Sequence, residues 1–312
     1  ARSRAPAWSA WRAARRTGIP FVTTYHGAYA ERGRLKRLYN SIMARADLVI
    51  ANSRYTAGLV RARYGTSDAR IRVIHRGVDM SRFDAEAVDH RRIEDLRRRW
   101  GVPDGQRVIL QAARLTGWKG QSVLIDAFAR IAGQPGFADD VLVLAGDAQG
   151  RDGYAEGLRT QIRDLGLAGR ALLVGHVDDM AAAFATAHVT VVASIEPEAF
   201  GRAAAEAEAL GCPVIATDIG APRETVLAAS AASPDAATGW LVPPGDSAAL
   251  AASLSAALSL TAADRRAMGL RARDHIAANF TLDAMCRATL AVYDELLGTT
   301  LAARYGKQGA QR

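Results

Sequence analysis

The stretch HVTVVASIEPEAFGRAAAEAEALG, residues 188–211, joins a strand pattern to a helix pattern. β-Branched residues dominate its first part, up to Ser194. After a short loop, good helix formers continue from Gly201 to Leu210, and Gly211 interrupts them. This order predicts a buried strand, a loop and a helix, which is the repeating unit of α/β proteins.

Similar strand patterns recur along the chain, between segments with helical patterns. They are continuous and apolar rather than alternating, as expected for strands that are buried on both faces of a parallel sheet. The runs are IPFVTTYH (19–26), ADLVIANS (46–53), IRVIHRGV (71–78), RVILQAARL (107–115), VLVLAGD (141–147), ALLVGHV (171–177), HVTVVAS (188–194) and PVIATD (213–218). The sequence therefore predicts the α/β class.

Helical periodicity marks several of the intervening segments. In GQSVLIDAFARIAG, residues 120–133, four apolar residues fall on one helical face. These residues are Leu124, Ala127, Phe128 and Ile131. The segment AALAASLSAALSL, residues 248–260, is too short for a membrane span and has the leucine spacing of an amphipathic helix, so we expect it to face a core.

The length of the chain, 312 residues, indicates two domains. The turn residues of WGVPDGQ, residues 100–106, precede a new strand pattern and place a domain junction near residue 101. We expect an N-terminal lobe over 1–101, a C-terminal lobe with five strands over 102–285, and a C-terminal helix and tail over 286–312. The three strands of the first lobe make a small sheet with exposed edges, so we expect its earlier strands to be missing.

Composition narrows the class of protein further. Hydrophobic residues make up 49% and charged residues 23%, and there is no run of about 18 apolar residues. Cys212 and Cys286 lack metal or disulfide spacing, so we expect buried thiols and a reducing, cytoplasmic location. The net charge of +8 suits nucleic acid, an anionic membrane or a phosphate-rich substrate. The arginine clusters carry few aromatic residues, which disfavours nucleic acid.

The opening stretch also predicts a ligand site. Glu198 falls in the loop after the strand, where ligands bind in open parallel sheets, and Glu206 falls on the second helical turn. Just before the helix, the amides of Ala199, Phe200 and Gly201 can donate to an oxygen-rich ligand. Two distant carboxylates suit two hydroxyl clusters of one extended ligand. Taken alone, the pattern is better explained by two glutamates that are simply exposed.

The segment SIEPEAFGRAAAEAEALGCPVIATDIGAPRETV, residues 194–226, resembles the E-x7-E signature of the retaining family 4 glycosyltransferases. Other segments resemble that family in the same order: IHRGVDMSRFD, ARLTGWKGQSVLIDAF, VLVLAGD, VGHVDDM and TGWLVPPGDSAALAASL. The resemblance covers residues 19–285. It implies the GT-B fold, with two Rossmann-like lobes of which the N-terminal one is incomplete, and it extends to members that build the lipopolysaccharide core.

The resemblance also implies roles for individual residues. Glu198 would hold hydroxyls of the donor sugar, and Glu206 would hold the ribose of the nucleotide. Arg114 and Lys119 match the family's R-x4-K segment. Cations there would stabilise the negative charge that grows on the departing diphosphate. The family's mechanism needs no nucleophile from the protein.

Further residues match the family less specifically. His26 follows a strand and matches a histidine near the donor's sugar and diphosphate, although a lone histidine there is as often structural. Val177 lies in the turn that would receive the nucleobase, beside His176. Gly220, near Glu224 in a glycine-containing turn, would approach the phosphates or merely connect a strand to a helix.

The predicted function is therefore sugar transfer with retention, from a nucleotide-sugar donor to a cell-envelope glycan or lipid. A UDP-sugar is expected before a GDP-sugar, without a cofactor or a metal ion. The basic surface predicts peripheral contact with the inner face of an anionic membrane. The alternatives are a nucleotide-sugar-binding module without turnover and a nucleotide-sugar epimerase of the GT-B fold.

Overall fold

The computed structural model describes residues 1–29, 33–229 and 234–309, with the backbone alone for 234 and 307–309. Internal contacts divide the chain into two compact units. Unit 1 comprises Ala1–Gly77, Glu198–Phe200 and Phe280–Arg312. Unit 2 comprises Val78–Pro197 and Gly201–Asn279.

Unit 1 contains a three-stranded parallel sheet in the order β1-β2-β3. The strands are β1 (Val22–Tyr25), β2 (Leu48–Ala51) and β3 (Ile71–Val73). All three lie inside predicted strand runs. The helices of unit 1 are α1 (Arg4–Thr17), α2 (Arg34–Ser41), α3 (Arg54–Tyr64), α12 (Leu282–Leu297) and α13 (Leu301–Gly309).

Unit 2 contains a six-stranded parallel sheet in the order β6-β5-β4-β7-β8-β9. Its strands are β4 (Val108–Ala112), β5 (Val141–Ala145), β6 (Ala171–Gly175), β7 (Val189–Val192), β8 (Val214–Thr217) and β9 (Gly239–Val242). The prediction of five strands missed β9. This strand has four residues and begins with glycine, so its pattern is weak.

Helices connect these strands. They are α4 (His90–Trp100), α5 (Gln121–Ala132), α6 (Asp152–Asp164), α7 (Met180–Thr186), α8 (Arg202–Ala209), α9 (Pro222–Thr225), α10 (Ser247–Leu258) and α11 (Ala262–Asn279). The predicted apolar stripe of α5 is buried in the core. Leu250, Leu254 and Leu258 of α10 are buried in the same core, which confirms that this segment faces inward.

The units differ from the predicted domain bounds at both ends. Helix α4, expected in the N-terminal lobe, packs against α7 of unit 2, and its Arg92 forms an ion pair with Asp179 at 2.7 Å. Val292 of α12 shares an apolar cluster with Leu48 and Ile50 of unit 1. Turn residues mark a break in the chain, but they do not determine which side a neighbouring helix packs against.

Two smaller expectations can be compared with the structure. Cys212 is buried, and burial raises the pKa of its thiol to about 11, whereas Cys286 is only half-buried. In the described part of the chain, no single helix is long and apolar enough to cross a membrane. The pair α10 and α11 reaches that length and composition only jointly, across a bend of 110°.

Candidate functional site

The sheet of unit 2 reverses its strand order between β4 and β7. Strands β5 and β6 lie on one side of β4, and β8 and β9 lie beyond β7. Strands β4 and β7 pair directly and in parallel, with Leu110 opposite Thr190. The loops that leave their carboxyl ends therefore diverge over a crevice, which is where open α/β sheets bind ligands. Arg114 and Lys119 lie in the first of these loops, and Glu198 follows in the second.

Side chains of β4 and α5 hold the first loop in place. The Nε2 of Gln111 donates to the carbonyl of Lys119 at 2.7 Å. The Nε2 of Gln121 donates to the carbonyl of Arg114 at 2.9 Å. Both glutamines are buried, so these bonds fix the backbone on either side of the two cations.

The two loops also contact each other through their backbones. The amide of Ile195 donates to the carbonyl of Trp118 at 2.8 Å. Gly120 has φ +70°, and a Cβ there would lie 1.9 Å from the carbonyl oxygen of Ala193. Only glycine permits this approach. The loop that carries Arg114 and Lys119, here called the cationic loop, therefore has a fixed position relative to the end of β7.

The two cations of the cationic loop, Arg114 and Lys119, differ in their surroundings. The guanidinium of Arg114 is exposed and makes one long contact, 3.5 Å to Oε1 of Gln149. Among the described residues no carboxylate pairs with Arg114. The Nζ of Lys119 lies 4.2 Å from the centre of the Trp118 ring. Arg114 thus has most of its donors available for an anion at the crevice.

Helix α8 begins at the second loop, close to the predicted start. Gly201 caps it with φ 86° and ψ 55°, a left-handed conformation that favours glycine. In the described part of the chain no carbonyl accepts from the amides of Ala199, Phe200 or Gly201. The ring of Phe200 is buried against Phe280, 5.9 Å between ring centres. The loop therefore presents unsatisfied donors from an anchored backbone.

Glu206 lies on the second turn of α8, as predicted. Its side chain is 12% exposed, so it is not the freely solvated glutamate of the alternative interpretation. The Nη2 of Arg202 donates to Oε1 of Glu206 at 2.5 Å. Arg202 itself is 71% exposed. One carboxylate oxygen therefore stays available for a ligand hydroxyl. Glu198 is half-buried and belongs to unit 1 by its contacts.

A third glutamate, Glu208, was not singled out from the sequence. It is completely buried, and its Oε1 accepts from the hydroxyl of Thr238 at 2.6 Å. That hydroxyl oxygen accepts from the amide of Leu227 at 2.9 Å. Among the described residues, Oε2 of Glu208 has no partner. Burial raises the pKa of Glu208 well above its ordinary value, while the Thr238 bond acts in the opposite direction. Burial therefore favours the neutral form of this carboxyl.

His26 lies in unit 1, directly after β1. Its Nδ1 is 3.1 Å from the carbonyl oxygen of Thr24. A carbonyl oxygen only accepts, so Nδ1 carries the hydrogen and Nε2 of the neutral ring is left as an acceptor. The ring of Tyr29 contacts it edge-on, 6.3 Å between centres. This geometry fits both the structural and the functional interpretation of His26.

The remaining predicted residues lie at the carboxyl edge of the six-stranded sheet. Val177 is half-buried after β6, and its exposed neighbour His176 binds Asp178 through Nε2 at 3.0 Å. Gly220 follows β8 with φ 83°. Glu224 lies on the short helix α9. The structure thus gathers these positions at one edge of one sheet, but it does not assign them a ligand.

Metal ligands do not accompany the crevice. In residues 1–29, 33–229 and 234–309, no group of three or more His, Cys, Asp or Glu side chains could hold a metal ion. In the described part of unit 2, the crevice offers a guanidinium without a carboxylate partner, an ammonium and a partly accessible carboxylate. That combination can bind a ligand that carries phosphate at one point and hydroxyls at another.

Solved structures share this architecture. A glycosyltransferase from Rickettsia africae ESF-5 matches with a TM-score of 0.85 and 32% identity, over 96% of this chain and 76% of that one. Anabaena Alr3699/HepE in complex with UDP-glucose matches with a TM-score of 0.81 and 26% identity, over 94% of this chain and 77% of that one. The two-lobe GT-B fold is therefore confirmed. WaaG, a glycosyltransferase involved in lipopolysaccharide biosynthesis, matches in fold, with 19% identity and a TM-score of 0.70.

Sequence comparisons agree. The D-inositol 3-phosphate glycosyltransferase of Salinispora arenicola is 31% identical over 96% of this chain and 68% of its own length. That of Salinispora tropica is 32% identical over 91% of this chain, which spans 61% of the relative. The model for Glycosyltransferase Family 4 matches residues 1–82. The model for glycosyl transferases group 1 matches residues 92–275. The chain belongs to the glycosyl transferases group 1 family.

Proposed function

We propose that the protein transfers a sugar, with retention, from a nucleotide donor bound in the crevice between β4 and β7. The observation that carries this proposal is the arrangement at the switch point, where the cationic loop and the loop that follows β7 are joined by the Ile195–Trp118 hydrogen bond. A nucleotide sugar has hydroxyls at both ends and a diphosphate between them. The groups of the crevice have the matching chemistry.

The cationic loop would supply the catalytic part. As the bond to the sugar breaks, negative charge grows on the diphosphate, and fixed cations stabilise that charge more in the transition state than in the ground state. Arg114 would contribute most because no described carboxylate neutralises it. Lys119 would act beside it, positioned by the bond from Gln111 to its carbonyl.

The carboxylates would position the donor rather than react. Glu206 would accept from the ribose hydroxyls through the oxygen that Arg202 does not use, and Glu198 would accept from the sugar. Ala199, Phe200 and Gly201 would donate their amides to the donor's oxygen atoms. Val177 would contact the base, and Gly220 would approach the phosphates. His26 is assigned to the sugar side by the resemblance.

A UDP-sugar is the preferred donor in this proposal. The structural relative from Anabaena is described in complex with UDP and with UDP-glucose. The test is a thermal-shift panel of UDP-, GDP- and ADP-sugars, since a ligand that binds the folded state raises the melting temperature. We expect the largest rise with a UDP-sugar. No rise with any donor would contradict the donor site.

Two classes of acceptor are to be compared. The basic surface supports a cell-envelope glycan or lipid, including lipopolysaccharide core. The names of the curated relatives support a small phosphorylated polyol, inositol 3-phosphate. Donor consumption in the presence of each class discriminates between them. Donor binding without consumption by any acceptor would favour the alternative of a binding module without turnover.

A cytoplasmic location beside the inner face of a membrane stays a prediction, as does the absence of a cofactor. Arg34, Lys36 and Arg37 lie on α2 and are exposed. If they meet an anionic membrane, reversing their charges should weaken binding to anionic vesicles. Unchanged vesicle binding would refute that contact.

A further inference from the structure

Unit 1 contains a large cavity whose wall is mainly cationic, with a volume of about 1110 Å³. Six arginines line it and one carboxylate, that of Asp47, accompanies them. The arginines are Arg15, Arg34, Arg37, Arg45, Arg63 and Arg70. We call this space the arginine cavity.

The arginine cavity lies at the amino ends of the strands in the three-stranded sheet. Asp47 directly precedes β2, Arg70 directly precedes β3, and Arg63 lies in the last turn of α3. His26 instead follows the carboxyl end of β1. In a parallel sheet the amino ends of all strands lie on one side, and their carboxyl ends lie on the opposite side. The arginine cavity is therefore separate from the edge that carries His26.

The positive charge of the arginine cavity exceeds the negative charge of its described lining. Among the described residues, none of the six arginines forms an ion pair with a carboxylate. Asp47, whose Oδ2 accepts from the amide of Phe21 at 2.7 Å, sets one negative charge against six positive ones. Uncompensated guanidinium groups that converge on one space favour a bound anion.

Neutral groups nevertheless hold several of these arginines in place. Arg37 donates to the carbonyl of Arg63 at 2.6 Å, and Arg63 donates to the carbonyl of Tyr29 at 2.7 Å. Arg45 donates to the hydroxyl of Ser41 at 3.2 Å. Each guanidinium has five N–H donors, so most of them remain available after these bonds. The donors are positioned for a ligand before it arrives.

A smaller recess with both polar and apolar walls adjoins the arginine cavity. It has a volume of about 480 Å³ and shares Trp11, Arg15, Arg45 and Asp47 with it. Its other walls include Ile19, Phe21 and Leu296. The guanidinium of Arg45 lies 5.8 Å from the centre of the Trp11 ring, so cation and indole form the boundary between the two spaces.

The surface around both spaces is unusually apolar for a cationic region. Ile19 is 63% exposed, Leu38 is 52% exposed, and Leu35, on the same helix as Leu38, is 84% exposed. Exposed aliphatic side chains next to arginines are typical of surfaces that meet the interface of an anionic membrane. A soluble phosphate would use the arginines but leave the aliphatic side chains in water.

We infer that the arginine cavity, the adjoining recess and the exposed aliphatic side chains beside them form a binding site for the phosphate headgroup and adjoining hydrocarbon of an anionic phospholipid. The phosphate would accept from the arginines, and the hydrocarbon would contact Trp11, Ile19 and Phe21. This inference deepens the proposed membrane contact by giving it a defined site. It does not depend on the donor site in unit 2.

The test is cosedimentation with vesicles of phosphatidylcholine, with and without phosphatidylglycerol. The variant R15E/R34E reverses two exposed arginines that make no described hydrogen bond. The matched control R12E/R16E reverses two exposed arginines of α1, the helix that also carries Arg15. Neither of these two arginines lines the cavity. At about fivefold per basic residue near the surface, R15E/R34E should bind the anionic vesicles at least about tenfold more weakly. The control should keep most of the binding.

Two further arms complete the test. Replacing Ile19 with Ser should also weaken vesicle binding, because it removes an apolar contact while leaving the charge unchanged. An excess of glycerol phosphate should compete only weakly. Equal losses in R15E/R34E and the control, or unchanged binding in both, would overturn the site. Full competition by glycerol phosphate with no effect of I19S would assign the cavity to a soluble phosphate and overturn the lipid.

The failure of this site can be distinguished from failure of the proposed function. The melting temperature of each variant is measured with and without UDP-glucose. A variant that loses vesicle binding but keeps its donor-induced rise has an intact donor site. A normal vesicle response without any donor-induced rise would instead contradict the proposed function alone.

Discussion

The two faces of helix α8 use the same residue type in opposite ways. Glu206 and Glu208 are two residues apart, which places them about 200° apart around the helix axis. Glu206 is partly accessible and pairs with the exposed Arg202. Glu208 is completely buried, with a raised pKa, and binds Thr238. One face is available to a ligand, and the other connects the helix to the start of β9.

This comparison shows how a ligand site can be built on a rigid element. Burial raises the pKa of Glu208 and so favours its neutral form, which can be buried without the large cost of an unpaired charge. Its bond to Thr238, together with the bond from Leu227 to Thr238, links α8 to the neighbouring loop. Substitutions on the accessible side should therefore change ligand binding or catalysis, whereas substitutions on the buried side should change stability.

The largest effect is expected for Arg114, in the cationic loop. Replacing Arg114 with Ala should lower the rate of sugar transfer by about 10²–10³-fold, because it removes a fixed cation beside the leaving diphosphate. Turnover of a UDP-sugar measures this loss. R114K is the matched variant and should recover part of the rate. The free energy of unfolding should change little, because Arg114 is exposed. A normal rate for R114A would remove this residue from the site.

The next largest effect is expected on the buried face. Replacing Glu208 with Ala should lower the free energy of unfolding by about 2–3 kcal/mol, since it leaves a cavity and an unpaired hydroxyl on Thr238. E208Q keeps an acceptor for that hydroxyl and no charge, so we expect it to stay within about 1 kcal/mol of the wild type. Urea unfolding monitors both variants. A strongly destabilised E208Q would show that the native carboxyl is ionised.

A slightly smaller effect is expected for Glu206. Replacing it with Ala should weaken donor binding by about tenfold to a hundredfold, the effect of losing a hydrogen bond to a charged group. Calorimetric titration with UDP-glucose measures the change. The control is E196A, which removes an exposed glutamate from the preceding loop. Equal affinities for E206A and E196A would contradict a role for Glu206 in holding the ribose.

The smallest effect, taken per pH unit, concerns the pH dependence of stability. The folded-state pKa of Glu208 is raised above its unfolded value, so in the window above the unfolded pKa of about 4.3 the folded protein binds the extra proton. Its contribution to stability is therefore complete below that window and is lost as pH rises, by at most about 1.4 kcal/mol per pH unit. Unfolding of the wild type and of E208Q between about pH 5 and about pH 8 isolates this slope. An identical pH dependence in both proteins would show that Glu208 is not the group responsible.

Much of the fold follows from local patterns. Continuous β-branched runs predicted eight strands, and the leucine spacing of residues 248–260 predicted a core-facing helix, because burial on both faces of a parallel sheet leaves a clear pattern. Strand β9 was missed because four residues beginning with Gly239 carry little pattern. The packing of α4 and α12 was missed because it depends on contacts between distant residues, such as Arg92 with Asp179.

The residues of the candidate site were likewise predicted from the sequence only in part. The sequence placed Arg114, Lys119 and Glu206 on their loop and helix, and the structure shows how β4 and β7 bring these elements to one edge. Glu208 was not singled out, since no local pattern distinguishes a buried carboxyl from an exposed one. Its position two residues from Glu206, on a helix otherwise rich in alanine, was the available signal. The arginine cavity combines residues from α1, α2 and α3, so no single sequence motif predicts it.

The most direct test of the donor site is a structure of the protein with bound UDP-glucose. The account predicts that the ribose hydroxyls lie within hydrogen-bond distance of the Glu206 carboxylate and that the diphosphate lies beside Arg114. A donor bound elsewhere, with Glu206 still engaged only by Arg202 and with Arg114 directed to solvent, would contradict it.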